Sequence, residues 1–436
     1  MDQVDFLVGK YFGGSSGSIQ VGGLPVEDFV GEYSTPLFIY DGHVMDTKFD
    51  RLRQTLPPEF FISYSVKANP NPFILRHFLS KGCGLEIASA GEFCLALNAG
   101  CPPQRILFAG PGKKEDELEL VLSHGIGEIH VESVKESERI SRICKRLGKK
   151  AEIGIRVNLG EEALGGAVQM GGKPTPFGVD EEILEEVVKL ILADSSLLFR
   201  GLHFYMGTQI LNHDILSRQY RKGLEIVRLV SGRLQQPLHT VDFGGGFGIP
   251  YFINEHELDM DKFSQCLNLL MAGVRNDSLF QKTQFMVEPG RYLVGEAGIY
   301  VTRINDVKIS RGKKFVVVDG GMNHHLAASG NLGQVIRRNY PIALLNKLNE
   351  EHKEKVDIVG PLCTSLDLLG RDVNLPSPEI GDLLGIFQSG AYARTASPLG
   401  FLSHQTPPEV FVYNGKMSLI RRRGTYDELL LNIPPL

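Results

Sequence analysis

The sequence predicts an α/β fold in which a (β/α)8 TIM barrel is followed by a C-terminal β domain. Eight short β-rich runs alternate with helical stretches between residues 57 and 292, and eight such units over about 250 residues are typical of this barrel. After Tyr292 the sequence becomes strand-rich and lacks regular helices. A chain of 436 residues with 42% apolar content is long enough to bury a large core.

The N-terminal residues 1–34 are expected to form an extension outside the barrel. Residues 11–24 are rich in glycine and serine, which favours a mobile or surface-draped segment without a catalytic role. The barrel is expected over residues 35–298. Its earliest strand, at 37–41, has no partner in the eightfold pattern, so we expect it to join the β domain.

Short runs of β-branched and aromatic residues mark the eight barrel strands. They are expected at 60–66, 84–88, 105–109, 127–131, 151–157, 198–206, 239–243 and 284–288. Two of the intervening helices begin with a capping box, formed by Ser89 with Glu92 and by Ser133 with Glu136. Gly148 is placed to end the second of these helices.

The β domain is expected over residues 299–436. Its strands are expected at 300–307, 313–319, 355–360, 382–388 and 409–422. Within the last of these, Asn414-Gly415 predicts a tight hairpin turn, because both residue types readily adopt positive φ angles.

Composition and charge disfavour several classes of partner. Acidic residues outnumber basic ones by 51 to 46, so no net positive field favours nucleic acid or an anionic membrane. No apolar run reaches the length of a membrane span, and we expect a cytoplasmic protein. The six cysteines lie in no CxxC or Cys/His spacing, and adjacent His324 and His325 lack a spaced partner, so we expect no metal site.

Lys67 is the first candidate for chemistry. The active site of such a barrel lies at the C-terminal ends of the strands, and Lys67 closes the first strand in the run YSVKANPN. The apolar residues before it favour an amine with a lowered pKa, which forms a Schiff base with an aldehyde cofactor. Taken alone, a lysine at a strand end is more often a surface residue.

Two motifs at the ends of strands seven and eight indicate a phosphate-bearing cofactor. The glycines of Gly244-Gly245-Gly246 let backbone N–H groups approach a phosphate, which such barrels usually hold in these loops. In Glu288-Pro289-Gly290-Arg291 the carboxylate can hold a protonated pyridine nitrogen, and the guanidinium can bind a phosphate or carboxylate. A plain glycine turn and an exposed ion pair are the alternatives.

Strands two and six contribute further polar side chains. Glu86 ends strand two, and GLHFYMGTQ at the end of strand six contains His203, Tyr205 and Thr208. Alternation places His203 and Tyr205 on one face, where one of the two rings could stack on the pyridine. Either residue alone is more often a hydrogen-bonded core group.

The β domain supplies the remaining candidates. Cys363 in GPLCT is a candidate proton donor, and Tyr392 in SGAY is a candidate phosphate ligand. Asn323 and His324 in GGMNHH are expected in a loop near the substrate. A lone cysteine is usually structural, so each of these predictions depends on the others.

In this order YSVKAN, HFYMGTQ, GGGFG, EPGR, GPLC and SGAY resemble fold-type III pyridoxal-phosphate decarboxylases, the group of the diaminopimelate and ornithine decarboxylases. The resemblance covers roughly residues 35–425. Within that group, GPGKKE, MGGKPTPFGVDE, DGGMNHH and RRRGT resemble the branch of carrier-linked glutamate decarboxylases of butirosin biosynthesis, and HHLAASGNLGQVIRRNYP resembles exosortase-associated decarboxylases. The resemblance implies an alanine racemase-like barrel that uses pyridoxal 5'-phosphate to remove the α-carboxyl group of an amino acid, free or carrier-linked.

The resemblance also implies roles for single residues. Lys67 is implied to attach the cofactor and Glu288 to face its pyridine nitrogen. Cys363 is implied to protonate the product, from the partner subunit of a head-to-tail homodimer with shared active sites. The implied surroundings of the cofactor are His203, Tyr205, Thr208, Gly244, Gly245, Gly246, Pro289, Gly290, Arg291 and Tyr392, with Glu86 nearby.

Two departures from the family pattern bear on substrate and cofactor. Tyr205 stands where the family usually has a stacking histidine. Thr364 follows Cys363, where amine-recognising members have Asp or Glu. A neutral residue there disfavours ornithine, lysine and diaminopimelate and favours a substrate whose far end is an uncharged thioester or amide. The expected substrate contacts are Thr364, Asn323, His324 and Arg291.

Three alternatives stay open at this point. One is decarboxylation of a free amino acid such as diaminopimelate, ornithine or lysine. Another is a racemase, which a carboxylate at position 288 disfavours. The third is a non-enzymatic carrier of pyridoxal phosphate, which needs the barrel but not a β domain with Cys363 and Tyr392.

Overall fold

A computed structural model describes residues 3–13, 18–160, 174–205, 207–332, 334, 337–351 and 353–434. Residues 170–173 of the MGGKPTPFGVDE motif and Met206 lie outside that range. The chain forms two compact units. The barrel unit comprises Phe49–Ile249 and His256–Tyr292, and the β unit comprises Met1–Lys48, Pro250–Glu255 and Leu293–Leu436.

Eight parallel strands form the core of the barrel unit, which confirms the predicted fold. They are Phe60–Ser65, Gly84–Ile87, Ile106–Phe108, Glu128–Val131, Ala151–Asn158, Leu197–Phe204, Thr240–Asp242 and Gln284–Val287, numbered one to eight below. Strand six pairs with strands five and seven, and strand eight pairs with strand one, so the sheet closes on itself. A short strand, Val179–Asp180, pairs in parallel with the end of strand five.

Helices follow the barrel strands as predicted. They are Pro72–Ser80, Ala90–Asn98, Glu115–Ser123, Val134–Leu147, Leu184–Ala193, His213–Leu234 and Met260–Arg275, with the short Arg291–Val294 after strand eight. Ser89 and Ser133 each accept a hydrogen bond from the backbone N–H three residues ahead, as in a capping box. Gly148 ends its helix in the left-handed conformation. Helix Gly42–Thr55 precedes strand one.

The β unit is built on a mixed sheet. In spatial order its strands are Leu368–Pro376, Lys353–Val359, Lys313–Val318, Gly298–Ser310, Leu37–Asp41, Glu409–Tyr413 and Lys416–Arg421, and Leu383–Ile386 pairs with both Gly298–Ser310 and Ile342–Leu344. The early strand therefore lies in the centre of this sheet. Asn414 and Gly415 have φ angles of 52° and 68° and form the hairpin turn.

The described part of the N-terminal extension packs against the β unit rather than lying loosely on its surface. It contains helix Gln3–Leu7, a π-helical turn Val8–Phe12, the strand pair Gln20–Val21 and Leu24–Pro25, and helix Val26–Tyr33. Phe12, Ile19 and Val21 are fully buried. Burial of these apolar side chains outweighs the flexibility that the Gly/Ser composition suggested. Within the described ranges, no helix is long and apolar enough to cross a membrane.

Candidate active site

Lys67 lies one turn beyond the end of strand one. The strand ends at Ser65, and Val66–Ala68 forms a single 3-10 turn that carries the lysine. Its Nζ donates to both carboxylate oxygens of Glu86, at 2.9 Å each, and Ser65 Oγ donates to the same carboxylate at 2.6 Å. The Glu86 side chain is 1% exposed and that of Lys67 39% exposed. The amine therefore has a buried carboxylate partner, where the sequence suggested only apolar surroundings.

The loop after strand eight packs directly on the lysine turn. Ser65 N donates to Pro289 O at 3.1 Å. A Cβ on Gly290 would lie 2.9 Å from the Cβ of Ala68, so only glycine fits at this approach. The two motifs, far apart in sequence, thus meet because strands one and eight are neighbours.

Glu288 follows strand eight and is enclosed by two histidines. His203 Nε2 lies 3.3 Å from Glu288 Oε2, and His130 Nδ1 lies 3.9 Å from Oε1. The two imidazole rings stack with centroids 4.4 Å apart. Burial, opposed by the charge of Glu288, lowers the pKa of His203 to about 4, so this ring is neutral at pH 7.

Asp242, the last residue of strand seven, completes this buried group. Its Oδ1 accepts a hydrogen bond from Gly244 N at 2.7 Å. Burial first, and then repulsion by Glu288, raise the pKa of Asp242 well above its usual value. Burial also opposes ionisation of Glu288, but contact with His203 outweighs it and brings the pKa of Glu288 below its usual range. Within this pair, burial and Glu288 thus favour the protonated form of Asp242, and contact with His203 favours the ionised form of Glu288.

The triple glycine packs between the neighbouring loops. A Cβ on Gly244 would lie 2.7 Å from Phe204 O, and one on Gly245 would lie 2.7 Å from Glu288 O. Gly244 and Gly246 have φ angles of 65° and 96°, which glycine adopts without strain. Over the described chain, the amides of Gly245 and Gly246 donate to no protein acceptor. Both amides are therefore available to an anion.

Tyr205 lies just past strand six with its ring beside an arginine. The guanidinium carbon of Arg156 is 5.2 Å from the Tyr205 ring centroid and 4.9 Å from that of Phe177. Arg156 Nη1 also donates to Glu132 Oε1 at 2.9 Å. The Tyr205 ring is thus part of a cation–π pair.

The remaining predicted cofactor residues of the barrel unit lie at the same end of the strands. Thr208 is half-buried in the loop after strand six, and Arg291 is half-buried at the start of the short helix after strand eight. His203 is 1% exposed and contacts Glu288, so it is a buried support of the carboxylate. Of the two rings predicted to stack on a cofactor, only the partly exposed Tyr205 is accessible.

In the β unit, one aspartate joins the two loops that carry the predicted residues. Asp367 accepts hydrogen bonds from Met322 N at 2.7 Å and Leu362 N at 2.9 Å. The GGMN and GPLC loops therefore lie side by side. Cys363 is exposed, and Thr364 beside it is half-buried with its hydroxyl accepting from Leu366 N.

Asn323 and His324 lie almost completely buried in their loop. Asn323 is 0% exposed and His324 is 2% exposed. His324 Nδ1 lies 3.0 Å from Tyr300 Oη, and burial lowers the pKa of His324 to about 3. Tyr392 is half-buried with a φ of 53°. The sequence prediction of substrate contacts for the first two stays a prediction.

The buried group around Glu288 also has the composition of a metal site. One ligand atom from each of His130, His203, Asp242 and Glu288 lies within 4.8 Å of the other three. His130 Nε2, however, lies 3.2 Å from Glu128, which in turn accepts from Thr240 Oγ1. The two imidazole rings therefore lie next to carboxylates that can serve as their hydrogen-bond partners. The expected absence of a metal site stays a prediction.

Sequence reasoning missed four residues of this site: His130, Asp242, Arg156 and Glu132. All four are polar residues near the C-terminal ends of strands four, five and seven. That position was a usable signal, because polar side chains at strand ends of a barrel face the mouth or the interior. The contacts of these residues could not be predicted from the sequence, because they join residues that lie more than 20 positions apart.

Comparison with known proteins places these features in a family. The family model described as pyridoxal-dependent decarboxylase, pyridoxal binding domain, matches residues 43–295. The chain is 39% identical to L-glutamyl-[BtrI acyl-carrier protein] decarboxylase of Niallia circulans, over 91% of this chain and 93% of that protein. It is 32% identical to diaminopimelate decarboxylase of Methanothermobacter thermautotrophicus, over 96% of each chain. The crystal structure of diaminopimelate decarboxylase from M. jannaschii with L-lysine has a TM-score of 0.90 at 26% identity, covering 98% of both chains.

Proposed function

This chain belongs to the pyridoxal-dependent decarboxylases, and we propose that it removes the α-carboxylate of glutamate held as a thioester on a carrier protein. The N. circulans relative is named for this substrate. Thr364, a neutral residue directly after Cys363, supports the proposal because it offers no charge to a cationic distal group. Decarboxylation with pyridoxal phosphate is supported above all by the amine of Lys67, which lies beside Glu86. Glu288, which is buried and has a lowered pKa, lies at the same end of the barrel strands.

The residues present fit pyridoxal phosphate. Glu288 Oε1 is buried without a hydrogen-bond partner among the described residues, as an acceptor for a protonated ring nitrogen requires. The free amides of Gly245 and Gly246 suit a phosphate. Lys67 supplies the amine that joins an aldehyde. Tyr205, Thr208 and Arg291 complete the proposed surroundings.

Pyridoxal phosphate, when bound, accepts the electron pair that remains when the carboxylate leaves. The residues of this chain prepare that event. Glu288 would favour a proton on the ring nitrogen, because contact with His203 lowers the pKa of Glu288 and favours its ionised form, while the raised pKa of Asp242 favours the protonated acid there. Neutral His203 and stacked His130 fix the carboxylate in place.

Lys67 must lose a proton before its amine can act as a nucleophile. The two oxygens of Glu86, both 2.9 Å from Nζ, lie within hydrogen-bond distance and can accept that proton. Ser65 Oγ donates to the same carboxylate and holds it in position. Glu86 therefore acts as the base for this step.

Cys363 donates a proton to the α-carbon of the product, and it does so as part of a cytoplasmic homodimer with shared active sites. The exposure of the thiol in the β unit supports this role. Arg291, Thr364, Asn323 and His324 bind the substrate. A Cys363→Ala variant that still gave product protonated on one face only would contradict the role of the thiol.

A decarboxylation screen tests the substrate. Glutamyl thioester on a carrier protein, free glutamate, diaminopimelate, ornithine and lysine are each incubated with the holoenzyme, and products are identified by mass spectrometry. We expect loss of carbon dioxide from the glutamyl thioester alone. The second candidate is diaminopimelate, which the 32% identity to diaminopimelate decarboxylases favours. Turnover of free diaminopimelate but not of the thioester would replace the first proposal with the second.

A further inference from the structure

The β unit contains a cavity that the proposed chemistry does not use. It has a volume of about 720 Å³, within the range of about 300–1,000 Å³ usual for small-molecule sites. Its walls come from four segments of the β unit, at 3–4, 251–254, 337–342 and 371–374. The cavity is thus much larger than a single inorganic anion needs.

Two arginines in the walls lack an acidic partner. Among the described residues, no carboxylate lies within 4.0 Å of the guanidinium of Arg337 or of Arg371. Arg337 Nη2 is buried and has no hydrogen-bond partner in that set. Burial, and then the like charge of Arg371, lower the pKa of Arg337. A buried donor left unpaired next to a like charge is costly unless an anion occupies the site.

Two acidic groups near the cavity, Asp357 and Asp372, share one lysine, and Asp372 lines the cavity. Lys313 Nζ lies 2.8 Å from Asp357 and 3.5 Å from Asp372. Arg338 pairs with Glu255 at 3.3 Å. Together with Arg337 and Arg371 these groups carry four positive and three negative charges, so a net charge of +1 remains, and Asp357 offsets part of the effect of Arg371 on the pKa of Arg337.

The two arginine-bearing segments are held side by side by one asparagine. Asn339 Nδ2 donates to Arg371 O at 2.6 Å, and Arg371 N donates to Asn339 Oδ1 at 2.9 Å. Aromatic rings form another part of the wall, with Tyr251 and Tyr340 centroids 4.8 Å apart. The cavity thus combines a cationic end with apolar surface, which suits an organic anion.

We propose that this cavity of the β unit binds a phosphate ester, with Arg337 and Arg371 on the phosphate and the aromatic wall against its organic part. Guanidinium groups bind phosphate through two parallel hydrogen bonds. The identity of the ester rests on the proposed function, since carrier proteins present thioester substrates on a phosphopantetheine arm. Free phosphate has the same charged chemistry but would leave most of the volume empty.

Calorimetric titration of the holoenzyme tests the site, with the cofactor's own phosphate site already saturated. The probes are pantetheine 4'-phosphate, pantetheine and inorganic phosphate at constant ionic strength. We expect the phosphorylated probe to bind and pantetheine not to bind. Arg337→Gln and Arg371→Gln should each weaken that binding by about tenfold or more, because a charged bidentate contact is lost.

Arg422→Gln, at an exposed arginine elsewhere in the β unit, is the matched control and should bind like the unaltered protein. Arg337→Lys keeps the positive charge and is the second variant to test if Arg337→Gln does not fold. Equal binding of the phosphorylated probe by Arg337→Gln and Arg422→Gln would overturn the proposal. Equal affinity for inorganic phosphate would assign the cavity to that ion and overturn the ester.

The outcome is separable from the substrate proposal. If the screen shows that only free amino acids are decarboxylated, the proposal of a carrier-linked substrate is wrong. The titration with pantetheine 4'-phosphate still shows, independently of that result, whether the cavity binds a phosphate ester. If the thioester is the substrate, Arg337→Gln should raise its KM about tenfold and leave kcat unchanged.

Discussion

Replacement of Asp242 by asparagine tests the raised pKa of this buried carboxyl group next to Glu288. The pKa of Asp242 is raised in the folded chain by burial and by Glu288, whereas an unfolded aspartate has a pKa of about 3.9. At a pH between the unfolded pKa and the raised folded pKa, the folded chain therefore binds a proton on Asp242 that the unfolded chain lacks. Asparagine resembles the protonated acid in shape, keeps an oxygen for Gly244 N and cannot release that proton.

The sign and size of the effect follow from linkage. Where the folded state binds one more proton than the unfolded state, the free energy of unfolding falls by about 1.4 kcal/mol per pH unit as pH rises. This slope begins near the unfolded pKa and ends at the raised folded pKa. Asp242→Asn should remove that contribution, so the variant should gain stability relative to the unaltered protein as pH increases through this window.

Proton release on unfolding gives the most direct assay, because a chain of two units need not unfold in one step. Apoprotein is unfolded in urea in a pH-stat at several pH values above the unfolded pKa, and the protons released per chain are counted. Asp242→Asn should release about one proton fewer than the unaltered protein. Asp116→Asn, at an exposed position, should release the same number. Equal proton release by Asp242→Asn and the unaltered protein would refute the raised pKa of Asp242 in the folded chain.

Three further predictions concern the cofactor site and the proposed homodimer. Gly245→Ala places a Cβ 2.7 Å from Glu288 O and should lower the cofactor affinity measured by absorbance titration. Gly232→Ala, where the nearest atom is 3.8 Å away, is the control and should keep the affinity of the unaltered protein. Equal affinities of the two variants would contradict the tight packing of the Gly245 loop. Glu288→Gln should lower kcat by about a hundredfold or more because a preorganised charge is lost, and unchanged kcat would remove Glu288 from the mechanism. When inactive Lys67→Ala chains are mixed with Cys363→Ala chains, about a quarter of full activity should return. Random assortment makes about half of the dimers mixed, and each mixed dimer has one intact site of two. If no activity returned, Lys67 and Cys363 of one site would have to come from the same chain.

Much of the barrel could be predicted from local pattern. The strand positions agreed within about two residues, because parallel barrel strands are buried on both faces and appear as short apolar runs. Two strands of the β unit, Ile342–Leu344 and Leu368–Pro376, were not predicted. The second has exposed and charged residues in its middle, and only its pairing with Lys353–Val359 defines it as a strand.

The site was predictable where a residue type and a strand end coincide. Lys67, Glu86 and Glu288 met that condition and lie at the same end of the barrel. The environment of those residues was not predictable, because it depends on which strands are neighbours. Asp242 lies beside Glu288 through the pairing of strands seven and eight, and the ion pair of Arg156 with Glu132 joins strand five to the loop after strand four.

The central claim is that Lys67 is the covalent attachment point of pyridoxal phosphate. Holoenzyme is reduced with borohydride, digested, and sequenced by mass spectrometry to locate the added pyridoxyl-phosphate mass. We predict that the mass lies on the peptide containing Lys67 and is absent when Lys67→Ala is treated in the same way. Labelling of another lysine, such as the buried Lys113, or of none would contradict the account.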